Sequence, residues 1–280
     1  MANGYLALSP MAELARSADR ERFYAALFAP GQKREALFAL IAFNYEIARV
    51  REIVSEPTLG EMRFAWWHEV LNEIENSKMP RAHPVAQALC AAYCSHPFDL
   101  VLLRTLIDAR SFDLYSEPMP NLPALELYAR ATGGNLHRAM AQVLNATSSE
   151  FDAAHACGTA WALTGLVRAV GIHAARHQLY LPLNELQAQG IGPDIIFAGA
   201  RTAGLKAANG VVIARAKALL AEAREARPGL ALPALLVGAL LPAQWRHIVR
   251  KDYDPFRFAT EPTQFASMAR LLIAAIRGRI

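Results

Sequence analysis

The stretch that decides the fold is residues 158–182, GTAWALTGLVRAVGIHAARHQLYLP. Its small and apolar residues recur at spacings of three and four, which places them on one face of a helix. We predict one buried helix over residues 152–175, followed by an extended exit at residues 179–182. We call four of its residues the small-residue face: Gly158, Ala162, Gly165 and Ala169. Arg168 lies beside this face, and His173 continues it by one turn.

The composition favours an all-α protein. A chain of 280 residues is long enough for a large core, and a hydrophobic fraction of 54% with 19% charged residues excludes a disordered chain. Strand-forming runs are scarce, while Ala, Leu and Arg dominate. We find no internal repeat and no Gly- or Ser-rich linker, so we predict one domain over residues 1–280.

Charge and cysteine content limit the partners and the compartment. The net charge is +4 without a Lys/Arg-rich tract, which argues against nucleic acid as a partner. Cys90 and Cys94 are one helical turn apart, a spacing typical of a buried helix in a reducing compartment. The first 21 residues contain no apolar signal core. We therefore expect a cytoplasmic protein.

Apolar periodicity predicts the other helices. The main ones cover residues 19–28, 33–54, 58–76, 85–96, 98–117, 122–144, 200–226, 230–250 and 265–277. The run at 230–245 is too short for a membrane span and holds two prolines, so we interpret it as a core helix. The basic residues that follow keep peripheral contact with a membrane surface open as an alternative.

Two groups of residues have the chemistry of metal ligands. His173 and His177 have the i, i+4 spacing of helical zinc pairs, but the nearby sequence offers no third ligand. His68, Glu69 and Glu73 could bind a metal by residue type. For both groups we favour the simpler interpretation, partly exposed side chains on a solvated helix.

The 158–182 stretch resembles the second signature of the squalene/phytoene synthases, a family of head-to-head prenyl transferases. The shared positions are Gly158, Leu163, Arg168, Gly171, Tyr180, Leu181 and Pro182. Four polar positions of the family, Gln, Asn, Asp and Asp, are here Ala162, Gly165, Ala169 and His173. Residues 23–52 resemble the first signature, with Ala48, Arg49 and Glu52 where the family has three aspartates. The resemblance extends over residues 20–277 and implies a single helical bundle of the isoprenoid synthase type.

The substitutions imply that catalysis is lost. In the family, Mg²⁺ held by paired carboxylates on two facing helices stabilises the departing diphosphate. Of those carboxylates only Glu52 remains, so we predict no catalytic residue, no metal site and no cofactor. The resemblance leaves an anionic substrate site of Arg34, Glu52, Arg168 and Tyr180, with Glu52 as the expected partner of Arg168. Asp113 matches an acidic position of the family and is expected to have a structural or polar-site role.

A branch of the family fits these departures. Residues 44–54, 57–67 and 161–168 resemble the degenerate branch that assists assembly of respiratory complex I. We predict such a non-catalytic assembly factor, with a complex I subunit as the candidate protein partner, at the cytoplasmic face of the inner membrane or on the matrix side in a eukaryote. The alternatives are an active prenyl transferase that requires Mg²⁺, or a protein that binds a prenyl or other lipid in the same cavity.

The small-residue face has two predicted outcomes. We expect the helices at 33–54 and 152–175 to face each other across the centre of the bundle. Neighbouring side chains, such as Tyr45 or a tryptophan, then fill the space beside the face, which is the outcome we favour because protein interiors are close-packed. The alternative is an apolar tunnel that holds a hydrophobic guest.

Overall fold

The computed structural model describes residues 8–256 and 263–280, and these ranges contain α-helices and no strand. The α-helices are α1 Pro10–Ala18, α2 Arg20–Ala26, α3 Gly31–Ala48, α4 Val50–Ile53, α5 Pro57–Glu75, α6 Pro84–Ser95, α7 Leu100–Arg110, α8 Leu122–Ala129, α9 Asn135–Val143, α10 Ser148–Arg168, α11 Val170–Ala175, α12 Leu183–Gln187, α13 Pro193–Phe197, α14 Ala203–Glu225, α15 Leu232–Leu235, α16 Leu241–Arg250 and α17 Gln264–Arg277. Short 3₁₀ turns follow α7 at Ser111–Leu114 and α15 at Leu236–Leu240, and a π-helical turn at Arg130–Gly134 joins α8 to α9. The prediction of an all-α bundle is confirmed.

Helix α10 lies at the centre of the bundle. It packs against α14, against α9 and against the π-helical turn. Its start is fixed by a capping box, in which the Glu150 side chain accepts a hydrogen bond from the Thr147 backbone amide at 2.7 Å. The second oxygen of Glu150 accepts from the amide of Ala231 at 3.0 Å and so ties the start of α10 to the segment before α15. The helix therefore begins four residues earlier than predicted.

Two predicted helices are divided in the structure. The helix predicted at 152–175 is interrupted at Ala169, where ψ rises to 3°, and α11 continues beyond it. The helix predicted at 33–54 is interrupted in the same way at Arg49. Apolar periodicity continues through both breaks, because one residue out of helical geometry changes the spacing of the neighbouring side chains very little. Helix α1 was not predicted, although Ser9 as N-cap and Pro10 at the first position are start signals.

The signature helices approach each other around α9. Helix α9 packs against both α3 and α10. Beyond the breaks, the chains that continue α3 and α10 meet where Arg176 donates to Glu52 at 2.6 Å. The two signature helices are thus joined through α9, which packs against both, and the segments that continue them beyond their breaks are in direct contact.

The apolar run near the C-terminus belongs to the core. By length and composition, Leu232–Arg250 is the one segment of the described chain that could cross a membrane, with a mean hydropathy of 1.2. It is divided into α15, a 3₁₀ turn and α16, and 56% of the apolar window is buried. Leu235, Leu236 and Leu241 are fully buried among the other helices. The interpretation of this run as core is confirmed.

Candidate functional site

A buried polar cluster lies next to the exit that follows α11. Asp113 sits in the 3₁₀ turn after α7, where its side chain is buried. Its Oδ1 accepts hydrogen bonds from the hydroxyls of Tyr128 at 2.8 Å and Tyr180 at 2.7 Å. Its Oδ2 accepts from Arg110 Nη1 at 3.0 Å, and its backbone carbonyl accepts from Gln178 Nε2 at 2.8 Å. We call these five residues the Asp113 cluster.

The electrostatics of the cluster keep both tyrosines protonated. Burial raises the pKa of Tyr180, and the neighbouring Tyr128 and Asp113 raise it further. Burial also raises the pKa of Tyr128, against the opposing effect of Arg110. For Arg110, burial acts to lower the pKa, but Tyr128 and Asp113 outweigh burial and the pKa is raised. The cluster is therefore one carboxylate held by a guanidinium and two phenol donors, a closed arrangement without a free carboxylate oxygen for a Mg²⁺ ion.

His173 lies against this cluster, at a position where the family has an aspartate. Its ring centroid is 4.6 Å from that of Tyr180. Burial lowers the pKa of His173 to about 4, although Asp113 and Glu52 act in the opposite direction. Nδ1 of His173 is buried without a hydrogen-bond partner among the described residues. The side chain is therefore neutral at pH 7 and packs as an aromatic ring.

Glu52 is paired with a different arginine from the one expected. Its carboxylate accepts from Arg176, and both side chains are about half exposed. The expected pair of Glu52 with Arg168 is wrong. The guanidinium that binds Glu52 is that of Arg176, just beyond α11. Arg168 is exposed and lines a small groove with residues of α16 and α17, among them Gln244 and Arg270.

The four predicted substrate-binding residues are only partly brought together. Tyr180 is in ring contact with His173, and the carboxylate of Glu52 is near enough to act on the pKa of His173. Arg34 is near the start of α3, where Nε donates to the carbonyl of Ala29 at 2.9 Å. Fourteen residues separate it from Ala48 at the end of α3, roughly 21 Å at 1.5 Å rise per residue, and Glu52 lies beyond the break at Arg49. That Arg34, Glu52, Arg168 and Tyr180 form one substrate site stays a prediction. Their separation in the structure favours two separate sites.

The small-residue face is closed at one end and open at the other. A methyl group added to Gly158 would lie 2.3 Å from the carbonyl oxygen of Gly133 and 2.7 Å from Cγ of His137. A methyl group added to Gly133 would lie 2.6 Å from the carbonyl oxygen of Gly158 and 2.7 Å from Cβ of Ala162. A methyl group on Gly165 would have no atom within 4 Å. The face is thus filled by the backbone of the π-helical turn rather than by Tyr45 or a tryptophan, and space remains beside Gly165.

The residues with metal-ligand chemistry have other partners. His177 stacks on Phe197 with the ring centroids 5.1 Å apart, whereas His173 stacks on Tyr180. Nε2 of His68 lies 2.9 Å from Asp108. Glu69 and Glu73 both contact Arg81. Across residues 8–256 and 263–280, no group of three or more His, Cys, Asp or Glu side chains is placed to hold a metal ion. That the protein needs no cofactor stays a prediction.

The fold and the altered signature site define a squalene/phytoene synthase-like protein. The sequence profile of the squalene/phytoene synthase family matches residues 15–265, and the chain belongs to that family. It is 29% identical over 248 residues to "NADH dehydrogenase (ubiquinone) complex I, assembly factor 6" of Bos taurus, which covers 87% of this chain and 74% of that protein. Chloroplastic phytoene synthase of Daucus carota is 27% identical over 178 residues, 60% of this chain and 44% of that protein.

Solved structures agree on the fold. Squalene synthase HpnC from Alicyclobacillus acidocaldarius superposes with a TM-score of 0.76 at 21% identity, covering 88% of this chain and 94% of that one. A dehydrosqualene synthase crystallised with a ligand gives a TM-score of 0.81 at 16% identity, covering 95% and 94%. At this level of identity the similarity concerns the architecture alone. The predicted family and its degenerate branch are confirmed by the sequence relatives.

Most of the contacts within the Asp113 cluster were not predicted from the sequence. The spacing of Arg110 and Asp113, three residues apart, is a local signal that could have suggested their pairing. The contacts of Asp113 with Tyr128 and Tyr180 join distant segments, and no spacing rule predicts them. A second buried pair was also missed: Arg22 Nε donates to His137 Nε2 at 2.9 Å, and burial, with Arg22 beside it, keeps the pKa of His137 well below its usual range.

Proposed function

We propose that this protein is a non-catalytic member of the squalene/phytoene synthase family that assists the assembly of respiratory complex I. One observation carries the loss of catalysis: the carboxylates that remain near the two signature regions are bound by the protein itself. Arg176 binds Glu52, and Arg110 with two tyrosines binds Asp113. Departure of a prenyl diphosphate needs a metal ion with free oxygen ligands. A site whose carboxylates are bound by arginine and tyrosine side chains of the same chain offers no such ligands.

The assembly role is proposed from the relatives named complex I assembly factor 6. Their similarity extends over 87% of the chain, whereas that of the carrot phytoene synthase extends over 60%. The proposed partner is accordingly a protein of complex I. The proposed location is the cytoplasmic face of the inner membrane, or the matrix side in a eukaryote.

Co-purification tests the assembly role. A tagged copy of the full chain, expressed at native level and isolated under mild detergent, should retain complex I subunits or assembly intermediates. The matched control is an unrelated protein with the same tag. Recovery of the tagged chain without any complex I protein, under conditions that preserve known assembly intermediates, contradicts the proposal.

Pyrophosphate release tests the loss of catalysis. The purified chain, incubated with farnesyl or geranylgeranyl diphosphate and Mg²⁺, should release no more pyrophosphate than a protein-free blank, while an active bacterial squalene synthase serves as the positive control. Mg²⁺-dependent release with a condensed prenyl product would establish the alternative of an active transferase.

A lipid-binding role is the second candidate. A pocket of about 620 Å³ favours it, because this pocket is lined by apolar side chains of α4 and α5, among them Val50, Leu59 and Trp66, and an apolar cavity can hold a hydrophobic guest without any metal. Extraction of the purified protein with organic solvent, followed by mass spectrometry, should then yield a stoichiometric lipid. A lipid-free protein would leave the assembly role as the remaining proposal.

A further inference from the structure

The outward side of α17 is apolar. Phe265 is 82% exposed and Ile276 is 77% exposed, with Met268, Leu272 and Ile273 between 44% and 51%. Positions 265, 268, 272 and 276 are spaced by three, four and four, so they form one stripe along the helix. We call these five residues the α17 apolar face. Contiguous exposed apolar surface of this kind marks a binding surface more often than isolated exposed residues do.

The opposite side of the same helix already holds it to the bundle. Leu271 and Ala274 are buried, and α17 packs against the 3₁₀ turn Leu236–Leu240 and against α2. Gln264 at its start accepts a hydrogen bond from Arg20 at 3.3 Å. The α17 apolar face is therefore not required for docking the helix onto its own fold, and its exposure to water needs another reason.

The charged side chains of residues 263–280 have a single sign, and the carboxylate of Glu21 on α2 lies in the groove behind the helix with Arg270. Residues 263–280 contain Arg270, Arg277 and Arg279 and no Asp or Glu. At 100° per residue, Arg277 falls about 40° beyond Ile273 at one border of the α17 apolar face, whereas Nη1 of Arg270 is buried in the groove beside α16. Arg224 of α14 donates to the backbone carbonyl of Ile280 at 3.0 Å, which places a further cation at the end of the helix. Apolar side chains bordered by arginines suit a surface that is apolar inside and anionic at its edge.

We propose that α17 docks this protein onto an anionic lipid bilayer, with the α17 apolar face in the interfacial region and the exposed Arg277 and Arg279 at the lipid phosphates. Charge complementarity selects this occupant. A second copy of the chain would bring two arginine-bordered faces together, and like charges at such a contact are unfavourable. The apolar segment Leu232–Arg250, by contrast, is more than half buried in the core.

Vesicle flotation of the full chain tests the proposal. At low salt, the purified protein should float with vesicles made of equal parts phosphatidylcholine and phosphatidylglycerol. It should float much less with phosphatidylcholine alone, and high salt should release it from the anionic vesicles. The double variant Leu272→Gln with Ile276→Gln should bind at least about tenfold more weakly, because each apolar side chain loses its transfer into the interface. The matched control is Leu127→Gln on α8, which is 69% exposed and should bind as the wild type does.

The results of these assays distinguish a lipid bilayer from a second copy of the chain as the partner of the α17 apolar face. Because the altered side chains are exposed, the melting temperature of the double variant should stay near that of the wild type, which excludes misfolding as the cause of weaker binding. Wild-type protein that ignores anionic vesicles at low salt overturns the proposal. So does a concentration-dependent dimer that the double variant abolishes, since the face would then bind a second copy. The vesicle assay contains neither complex I nor a prenyl substrate, so its failure leaves the proposed assembly role to its own tests.

Discussion

At the scale of single residues, the signature site has changed from a ligand site into a structural contact. Asp113 is buried, and its hydrogen bonds to Arg110 and to two tyrosine hydroxyls compensate the burial of its carboxylate. The uncharged ring of His173 packs against Tyr180 of this cluster. Removing one donor from a buried carboxylate leaves charge uncompensated, so the cluster should contribute measurably to stability.

Tyr180→Phe should lower the free energy of unfolding by about 1.5–3 kcal/mol, since it removes a hydrogen bond to a buried charged group and leaves the ring packing intact. Urea titration followed by circular dichroism measures the difference. Tyr115→Phe is the control, because its exposed hydroxyl donates to Glu61 at a longer 3.3 Å and its loss should cost within about 0.5 kcal/mol. Equal losses for the two variants would mean that the Asp113 cluster is not a stabilising unit.

The buried histidine gives a pH dependence of known sign. The pKa of His173 is lowered to about 4, below that of an unfolded histidine near 6.5, so between these values the unfolded chain binds more protons. Stability therefore rises with pH across this window and is lost as the pH falls from about 6.5 towards 4. Melting temperatures at pH 7.5 and pH 4.5 should differ less for His173→Gln than for the wild type. A variant with the same acid sensitivity would assign the effect to other groups, such as His155, whose pKa burial also lowers to about 4.

At the scale of elements, the central helix α10 is built around one close crossing. The backbones of Gly158 and Gly133 approach so closely that neither position accepts a side chain. Small residues at such a crossing permit tight helix packing, as their spacing predicted. Gly165, two turns further along, has no neighbour that requires a glycine.

Two alanine substitutions on this helix should have opposite signs. Gly158→Ala places a methyl group 2.3 Å from a backbone oxygen and should cost about 1–3 kcal/mol or more. Gly165→Ala meets open space and should be neutral or should stabilise by up to about 1 kcal/mol, because alanine loses less backbone entropy in a helix. Thermal unfolding of both variants provides the comparison, and each serves as the control for the other. Strong destabilisation by Gly165→Ala would show that the space beside it is filled.

Sequence patterns predicted the existence of the main helices and failed at their interruptions. Spacing of apolar residues identifies a helical face, but it does not reveal the single residues Ala169 and Arg49, at which the helical geometry is interrupted. It also did not register the π-helical turn at Arg130–Gly134, whose position depends on contact with α10. The candidate site was predictable where it depends on one chain segment. It was unpredictable where it depends on distant segments, as in the pairing of Glu52 with Arg176.

At the scale of the whole molecule, the family frame is kept while the chemistry of its site is altered. The core is apolar, so replacement of the family's signature carboxylates by Ala48, Arg49 and Ala169 leaves the bundle intact. A fold alone does not establish an activity. The function proposed for this protein accordingly rests on its similarity to the assembly factors and on interactions at its surface, not on the reaction of the synthases.

The amount of assembled complex I in cells lacking this protein tests the central claim most directly. It is measured on native gels stained for NADH oxidation, after complementation with the wild type or with Glu52→Gln. Glu52 is the remaining carboxylate of the first signature, and loss of its half-exposed ion pair should cost about 0–1 kcal/mol. We predict that complex I falls on deletion and is restored equally by both forms. Unchanged complex I on deletion, or rescue by the wild type but not by a stably folded Glu52→Gln, would contradict a non-catalytic assembly role.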